Sequence, residues 1–192
     1  GCYSEDSVLI DLSFDLNAKF QASADTICAG STVTFTDQST SNAVEWTWNW
    51  GDATPNTVVT GTAPAAAVTH TFTTAGTYNV KLFVKNAAGC VSAVKDTNIV
   101  VIAKPVVDFQ TPPGICLGGS MQFTNLSTPT TGVTYLWNFN DPNATLGNPN
   151  TSTAQNPSHI YTSTGPFNVS LTVTLNNYGC TDSKTKALSS NI

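Results

Sequence analysis

The sequence predicts an all-β chain: two tandem antiparallel sandwiches preceded by a single strand. Three observations carry that expectation. "HTFTTAGTYNVKLFV" from His70 recurs as "HIYTSTGPFNVSLTV" from His159, 89 residues on. Within each copy, short runs alternate apolar and polar residues and break at Gly, Asn, Asp and Pro. No window of about eleven residues carries a helical period. Six or seven short strands in roughly 90 residues, with turns every ~8–12, is the sandwich pattern.

Residues 1–16 come first. Val8, Ile10, Leu12, Phe14 and Leu16 alternate with Leu9, Asp11, Ser13 and Asp15. "GC" at 1–2 is mirrored at 89–90 and again at 179–180. The segment therefore reads as the last strand of a preceding repeat, with Cys2 paired to a cysteine outside this chain. The first full repeat is expected over 17–103, with strands near 17–22, 32–37, 43–50, 56–60, 67–72, 77–86 and 92–102. The second is expected over 104–192. "IAKPV" (102–106) joins them, and Pro105 stiffens the joint by fixing its own φ.

"WTWNWGD" (46–52) spaces three tryptophans at every second position. Trp46, Trp48 and Trp50 share one strand face with Val44, while Glu45, Thr47 and Asn49 share the other. In the second repeat Tyr135, Trp137 and Phe139 occupy the same positions beside Val133. Aromatics on the inward face of a sandwich strand are core. Trp46, nearest the strand start, is expected to be the most exposed of the three.

Only 10% of residues are charged, the net charge is −5, and arginine is absent. With no cationic cluster to engage phosphates, no nucleic-acid partner is expected. No apolar run approaches the ~20 residues of a membrane span, so no direct membrane insertion is expected. Five cysteines follow the repeat: Cys28 and Cys116 precede the second strand of each copy, and Cys90 and Cys180 follow a glycine after the long strand. That spacing predicts one disulfide per repeat, Cys28–Cys90 and Cys116–Cys180, with Cys2 unpaired within the chain. Each would close a long loop and add up to about 4 kcal/mol. The alternative is free thiols in a reducing compartment. No Cys-x-x-Cys or Cys/His cluster suggests zinc.

"WTWNWGD" followed by "HTFTTAGTYNVKLFVKNAAG" resembles the PKD (polycystic kidney disease) domain, over nearly the whole chain as two copies. The second copy departs at Asn140, where the pattern has glycine, and at Pro166 and Phe167, where it has Thr-Tyr. "DTICAGSTVTFTDQS" with "NAAGC" further resembles cysteine-bearing repeats of type IX-secreted surface proteins and gliding-motility adhesins of the Bacteroidetes. The resemblance implies Ig-like (PKD-type) sandwiches serving as spacer, adhesion or carbohydrate-associated modules, without catalysis or a cofactor.

Little in the sequence offers other chemistry. Neither a nucleophile elbow nor a zincin helix nor a phosphate loop occurs. His70 and His159 head equivalent strands and read as structural. Asp52 and Asp141 should hold turn amides, with a Ca²⁺ at that loop as the alternative. The segment 141–157 is polar and turn-rich, and Tyr178 sits in a loop beside Cys180. "DSV" (6–8) and "DTI" (25–27) resemble the Asp-Ser/Thr-apolar acceptor motif of the Bacteroidetes, which implies Ser7 and Thr26 as O-glycosylation sites. The function expected is a non-catalytic structural or adhesive repeat module of a secreted or cell-surface protein, with adjacent repeats as partners. The alternative is a carbohydrate-binding accessory module of a secreted hydrolase, with a polysaccharide or surface glycan as partner.

Overall fold

The computed structural model describes residues 16–113 and 117–188. The expected strand over 1–16 lies outside these, apart from Leu16, which packs against the core of the first unit. No α-helix occurs among the described residues. The chain divides into two compact units between Val101 and Ile102.

The first unit is a sandwich of two antiparallel sheets. One contains β1 (Phe20–Ala22), β3 (Ser31–Asp37) and β6 (Val68–Phe72), in the order β1-β3-β6. The other contains β2 (Thr26–Cys28), β4 (Ala43–Asn49), β5 (Thr57–Thr60), β7 (Gly76–Asn86) and β8 (Lys95–Ile102), in the order β2-β8-β7-β4-β5. Along β7 the period of two places Val80, Leu82 and Val84 inward and leaves Lys81 in water. Phe83 sits half-buried on the outer face, opposite Thr47. A register shift between Ala43 and Glu45 turns Ala43 inward in place of Val44.

The three indoles of β4 and the turn after it fill the space between the sheets. Trp46, Trp48 and Trp50 are all buried, and Trp46 is 0% exposed. The expectation that Trp46 would be the most open is therefore corrected: β5 covers it, with Val59 directly opposite. Trp48 packs edge-on to Phe20 with centroids 5.1 Å apart, and stacks on Trp50 at 5.8 Å. Each such ring contributes its buried area plus about 0.5–1.5 kcal/mol from ring geometry.

The second unit repeats the plan with shorter elements. β12 (Val133–Asn138), β13 (Thr151–Ser152), β15 (Asn168–Leu175) and β16 (Thr181–Ala187) form a sheet ordered β13-β12-β15-β16. Opposite it, β10 (Ser120–Gln122) pairs with β14 (Ser158–Ile160), and β9 (Phe109–Gln110) with β11 (Thr124–Asn125). β10 and β11 divide at Phe123, whose N–H donates instead to the Pro157 carbonyl. Phe109, Phe123, Trp137 and Phe139 are buried; Tyr135 is half-buried at the margin of the core.

Candidate functional site

At the same end of each sandwich, the turn after the aromatic strand meets the strand headed by histidine. Asp52 Oδ1 accepts from the Thr54 amide at 3.1 Å and from its hydroxyl at 2.5 Å, while Oδ2 lies 2.6 Å from His70 Nε2. Burial alone would raise the Asp52 pKa. The Thr54 and His70 hydrogen bonds outweigh it and hold the carboxyl below its ordinary value. The His70 ring stacks on Trp50 at 4.4 Å and abuts Phe72 edge-on. The dyad thus ties the turn to the opposite sheet across the aromatic core.

In the second unit Asp141 Oδ1 accepts from the Asn143 amide at 2.9 Å and Oδ2 lies 3.0 Å from His159 Nε2. Both side chains are sealed, at 0% and 1% exposure. His159 stacks on Phe139 at 4.3 Å, and Tyr161 donates its hydroxyl to the Phe139 carbonyl at 2.8 Å. Burial, with the Asp141 charge nearby, pushes the Tyr161 phenol well above its ordinary pKa. It stays a neutral donor at any physiological pH.

The chemistry available to these dyads is positional. Each carboxylate spends its oxygens on a turn and an imidazole, and neither imidazole is hydrogen-bonded to a hydroxyl or thiol that could attack. Among the described residues, no group of three or more His, Cys, Asp or Glu converges to hold a metal. The sequence placed both aspartates in Asx turns but did not connect them to the histidines. The signal was present: Asp and His are 18 residues apart in both copies.

Cysteine pairing departs from the sequence expectation. Cys28 and Cys180 are each in a disulfide, whereas Cys90 is a free, exposed thiol. Cys28–Cys90 is therefore corrected. The reason is topological. Gly30 N–H donates to the Phe72 carbonyl and Val100 N–H to the Asp25 carbonyl, which puts β2 at the Gly76 end of β7. Cys90 lies in the turn beyond Asn86, its amide held by Asn86 Oδ1 at 2.9 Å. The length of β7 separates the two ends by roughly 30 Å, against the ~6 Å between the Cα atoms of a cystine. Cys116, Cys2 and Ser7 lie outside the described residues. Thr26 is exposed on β2.

Two recesses differ between the units. In the second, Lys186 of β16 reaches across the sandwich edge. It pairs with Asp108 at 2.7 Å, donates to the Phe109 carbonyl and lies over the Phe109 ring at 5.2 Å. This ammonium holds the Asp108 carboxyl below its ordinary pKa. In the first unit Thr97 holds the position of Lys186, and an open groove of about 460 Å³ runs past Phe20, Asp25, Lys95 and Thr97. At the dyad end the second unit carries a recess of about 420 Å³ lined by Asn140, Asp141, Asn150, Ser163, Thr164 and Phe167. The polar segment 141–157 forms one side of it. That segment is anchored: Asn150 accepts the Phe139 amide on its carbonyl at 2.9 Å and the Asp141 amide on Oδ1 at 2.8 Å. Asn148 bonds both the N–H and the C=O of Ile160.

Comparison with known proteins follows the same two-part division. A likeness extends to the PKD1 domain of Vibrio anguillarum Epp, 32% identical, covering 44% of this chain and 90% of that one with a TM-score of 0.35. Another is the I-band fragment I67–I69 of titin, 14% identical, covering 90% of this chain and 64% of that one, TM-score 0.46. A third is a structure described for the promiscuous specificity of carbohydrate-binding modules from the β-sandwich superfamily: 17% identical, 81% and 56% covered, TM-score 0.39. No similar sequence was found among curated proteins. The PKD domain family matches twice, over residues 17–101 and 102–190. The chain belongs to the PKD domain family, as two tandem copies.

Proposed function

We propose that the chain is a structural and adhesive repeat module of a secreted or cell-surface protein, acting as a spacer that carries other parts outward. The observation that supports this most directly is the tandem itself: two copies of one domain, each with its own aromatic core and each with a disulfide-bonded cysteine. Disulfides persist in non-reducing settings, which favours an extracellular location. β8 ends at Ile102, and Val106 already pairs with Thr128 of the second unit, so three residues including Pro105 make the joint. A gliding-motility or other type IX-secreted adhesin is the finer form of this reading, supported by the cysteine-bearing repeat pattern. Thr26, exposed on β2, is proposed as an O-glycosylation site of such a protein; an intact mass from the native source equal to the bare polypeptide would remove it.

Single-molecule stretching tests the spacer reading. Two separate unfolding events per chain are expected, and reductant should lengthen the released contour because a cystine hides the chain it encloses. One concerted event, or extension without resistance, would overturn it. The second reading, a carbohydrate-binding accessory module, is favoured by the polar recess of the second unit.

A further inference from the structure

We propose that this recess of the second repeat, bounded by Asn140, Asn150, Ser163, Thr164 and Phe167, is a binding site for a neutral oligosaccharide. The proposal rests on the reading of the chain as an extracellular, non-catalytic module and adds to it a specific ligand class.

The recess is lined at the two places where the second repeat breaks the family pattern. In the first repeat, Gly51 has φ +75°, and a Cβ there would lie 2.7 Å from the Asn79 carbonyl oxygen. The turn therefore lies flat on the β7 backbone. Asn140 stands at the equivalent position with φ +52° and carries a Cβ. A Cβ there does not admit the same close approach to Asn168, the counterpart of Asn79. On the facing side, Pro166 replaces Thr77. It has no N–H to give to a ladder, and β15 begins at Asn168, three positions later than β7 begins in the first repeat. Finally, Tyr78 in the first repeat donates its hydroxyl to the Thr74 carbonyl at 2.9 Å. Phe167 in the second has no hydroxyl to do so.

The lining chemistry selects the ligand. About 420 Å³ falls within the ~300–1,000 Å³ typical of small-molecule sites. Among the described residues, the side chains of Asn140 and Thr164 make no hydrogen bond, and Asn150 keeps its Nδ2 unused after Oδ1 accepts the Asp141 amide. Ser163 Oγ accepts from Asn143 Nδ2 at 2.8 Å and retains its own proton. The site thus offers donors and acceptors in mixed order, the complement of a run of hydroxyls. No lysine lines it, and its single carboxylate is committed to His159 and the Asn143 amide. An anion or a cation finds no counter-charge there. Pro142 and Pro166, both exposed, supply the apolar surface against which the C–H face of a sugar can rest.

The test is an NMR titration of the full 192-residue chain with tetraoses of glucose, mannose and N-acetylglucosamine. At least one should shift the Asn140 and Thr164 amides and the Asn150 side-chain amide at millimolar or lower concentration, while Gly51 and Thr77 stay unmoved. T164V removes one hydroxyl at constant volume and should weaken binding about fivefold to tenfold, the loss of one hydrogen bond. N140G restores the glycine of the first repeat. It should abolish binding yet leave the second unit at least as stable, so the loss is separable from unfolding. Overturning results are no shift with any tetraose, shifts confined to the first unit, or N140G binding like the parent. Each would remove the site and leave the spacer reading, tested by stretching, intact.

Discussion

His70 Nε2 lies 2.6 Å from Asp52 Oδ2, and 89 residues on His159 Nε2 lies 3.0 Å from Asp141 Oδ2. The same dyad has been built twice but in different surroundings. The first keeps 14% and 11% of its two side chains in contact with water; the second keeps 1% and 0%. Removing one partner therefore has unequal consequences. Asp141→Ala leaves His159 and the Asn143 amide without an acceptor inside the protein, at a cost of about 3 kcal/mol or more. Asp52→Ala leaves groups that water can reach, and about 1–2 kcal/mol is expected. Denaturant unfolding, with Trp137 fluorescence reporting the second unit, measures both. Equal losses would show that burial is not what sets the value of the dyad.

The Asp52 dyad also predicts an acid response. Its carboxyl is held below the ordinary value of 3.8 by Thr54 and His70 against the opposing effect of burial. A depressed carboxylate contributes stability that is fully present above the unfolded-state pKa and disappears as pH falls through the folded-state value. The first unit should therefore lose stability below about pH 4, where an unfolded aspartate begins to take its proton. Asp52→Asn should flatten that part of the curve. A curve unchanged by the substitution would assign the acid response to other carboxylates.

Thiol accessibility is the third prediction. Without reductant, Cys90 should alkylate in the folded chain and Cys28 and Cys180 should not. Peptide mapping reads this directly. Protection of Cys90 would contradict the strand order that places it at the opposite end of β7 from Cys28, and labelling of Cys28 would contradict its disulfide.

These cysteines mark the limit of what the sequence could convey. Spacing identified Cys28 with Cys116 and Cys90 with Cys180 because equivalence in a repeat is a property of order along the chain. Proximity is a property of strand pairing, and β2, only three residues long, gave no alternation to reveal where it lay. The long strands were legible for the opposite reason: Val80, Leu82 and Val84, or Val169, Leu171 and Val173, alternate for enough residues to fix the inward face. Lys186 was missed because a lysine near the chain end reads as solvated. Its partners, Asp108 and the Phe109 carbonyl, lie 78 and 77 residues away in the sequence and carry no motif. The departure at Asn140 was visible in the sequence. Its meaning came only from the backbone that Gly51 touches.

That contact supports a last prediction. Gly51 combines a left-handed φ of +75° with a Cβ position 2.7 Å from the Asn79 carbonyl oxygen and 3.1 Å from its nitrogen. Either condition alone would disfavour a side chain. The left-handed backbone costs an L-residue about 1–2 kcal/mol. The clash is with strand backbone, so relieving it means lifting the turn off β7. The lift also pulls Asp52 away from His70, because the two residues are held only 2.6 Å apart by that turn. Gly51→Ala should therefore cost more than the torsional strain alone, about 2–3 kcal/mol, and should raise the Asp52 pKa toward its ordinary value. Gly51→Asn tolerates the left-handed φ better, yet meets the same carbonyl, so it should also destabilise the first unit while opening a recess like that of the second. Thermal unfolding together with the titration of Asp52 by NMR separates the two contributions. If Gly51→Asn is as stable as the parent, the close approach of the turn to Asn79 is not what glycine is there to allow.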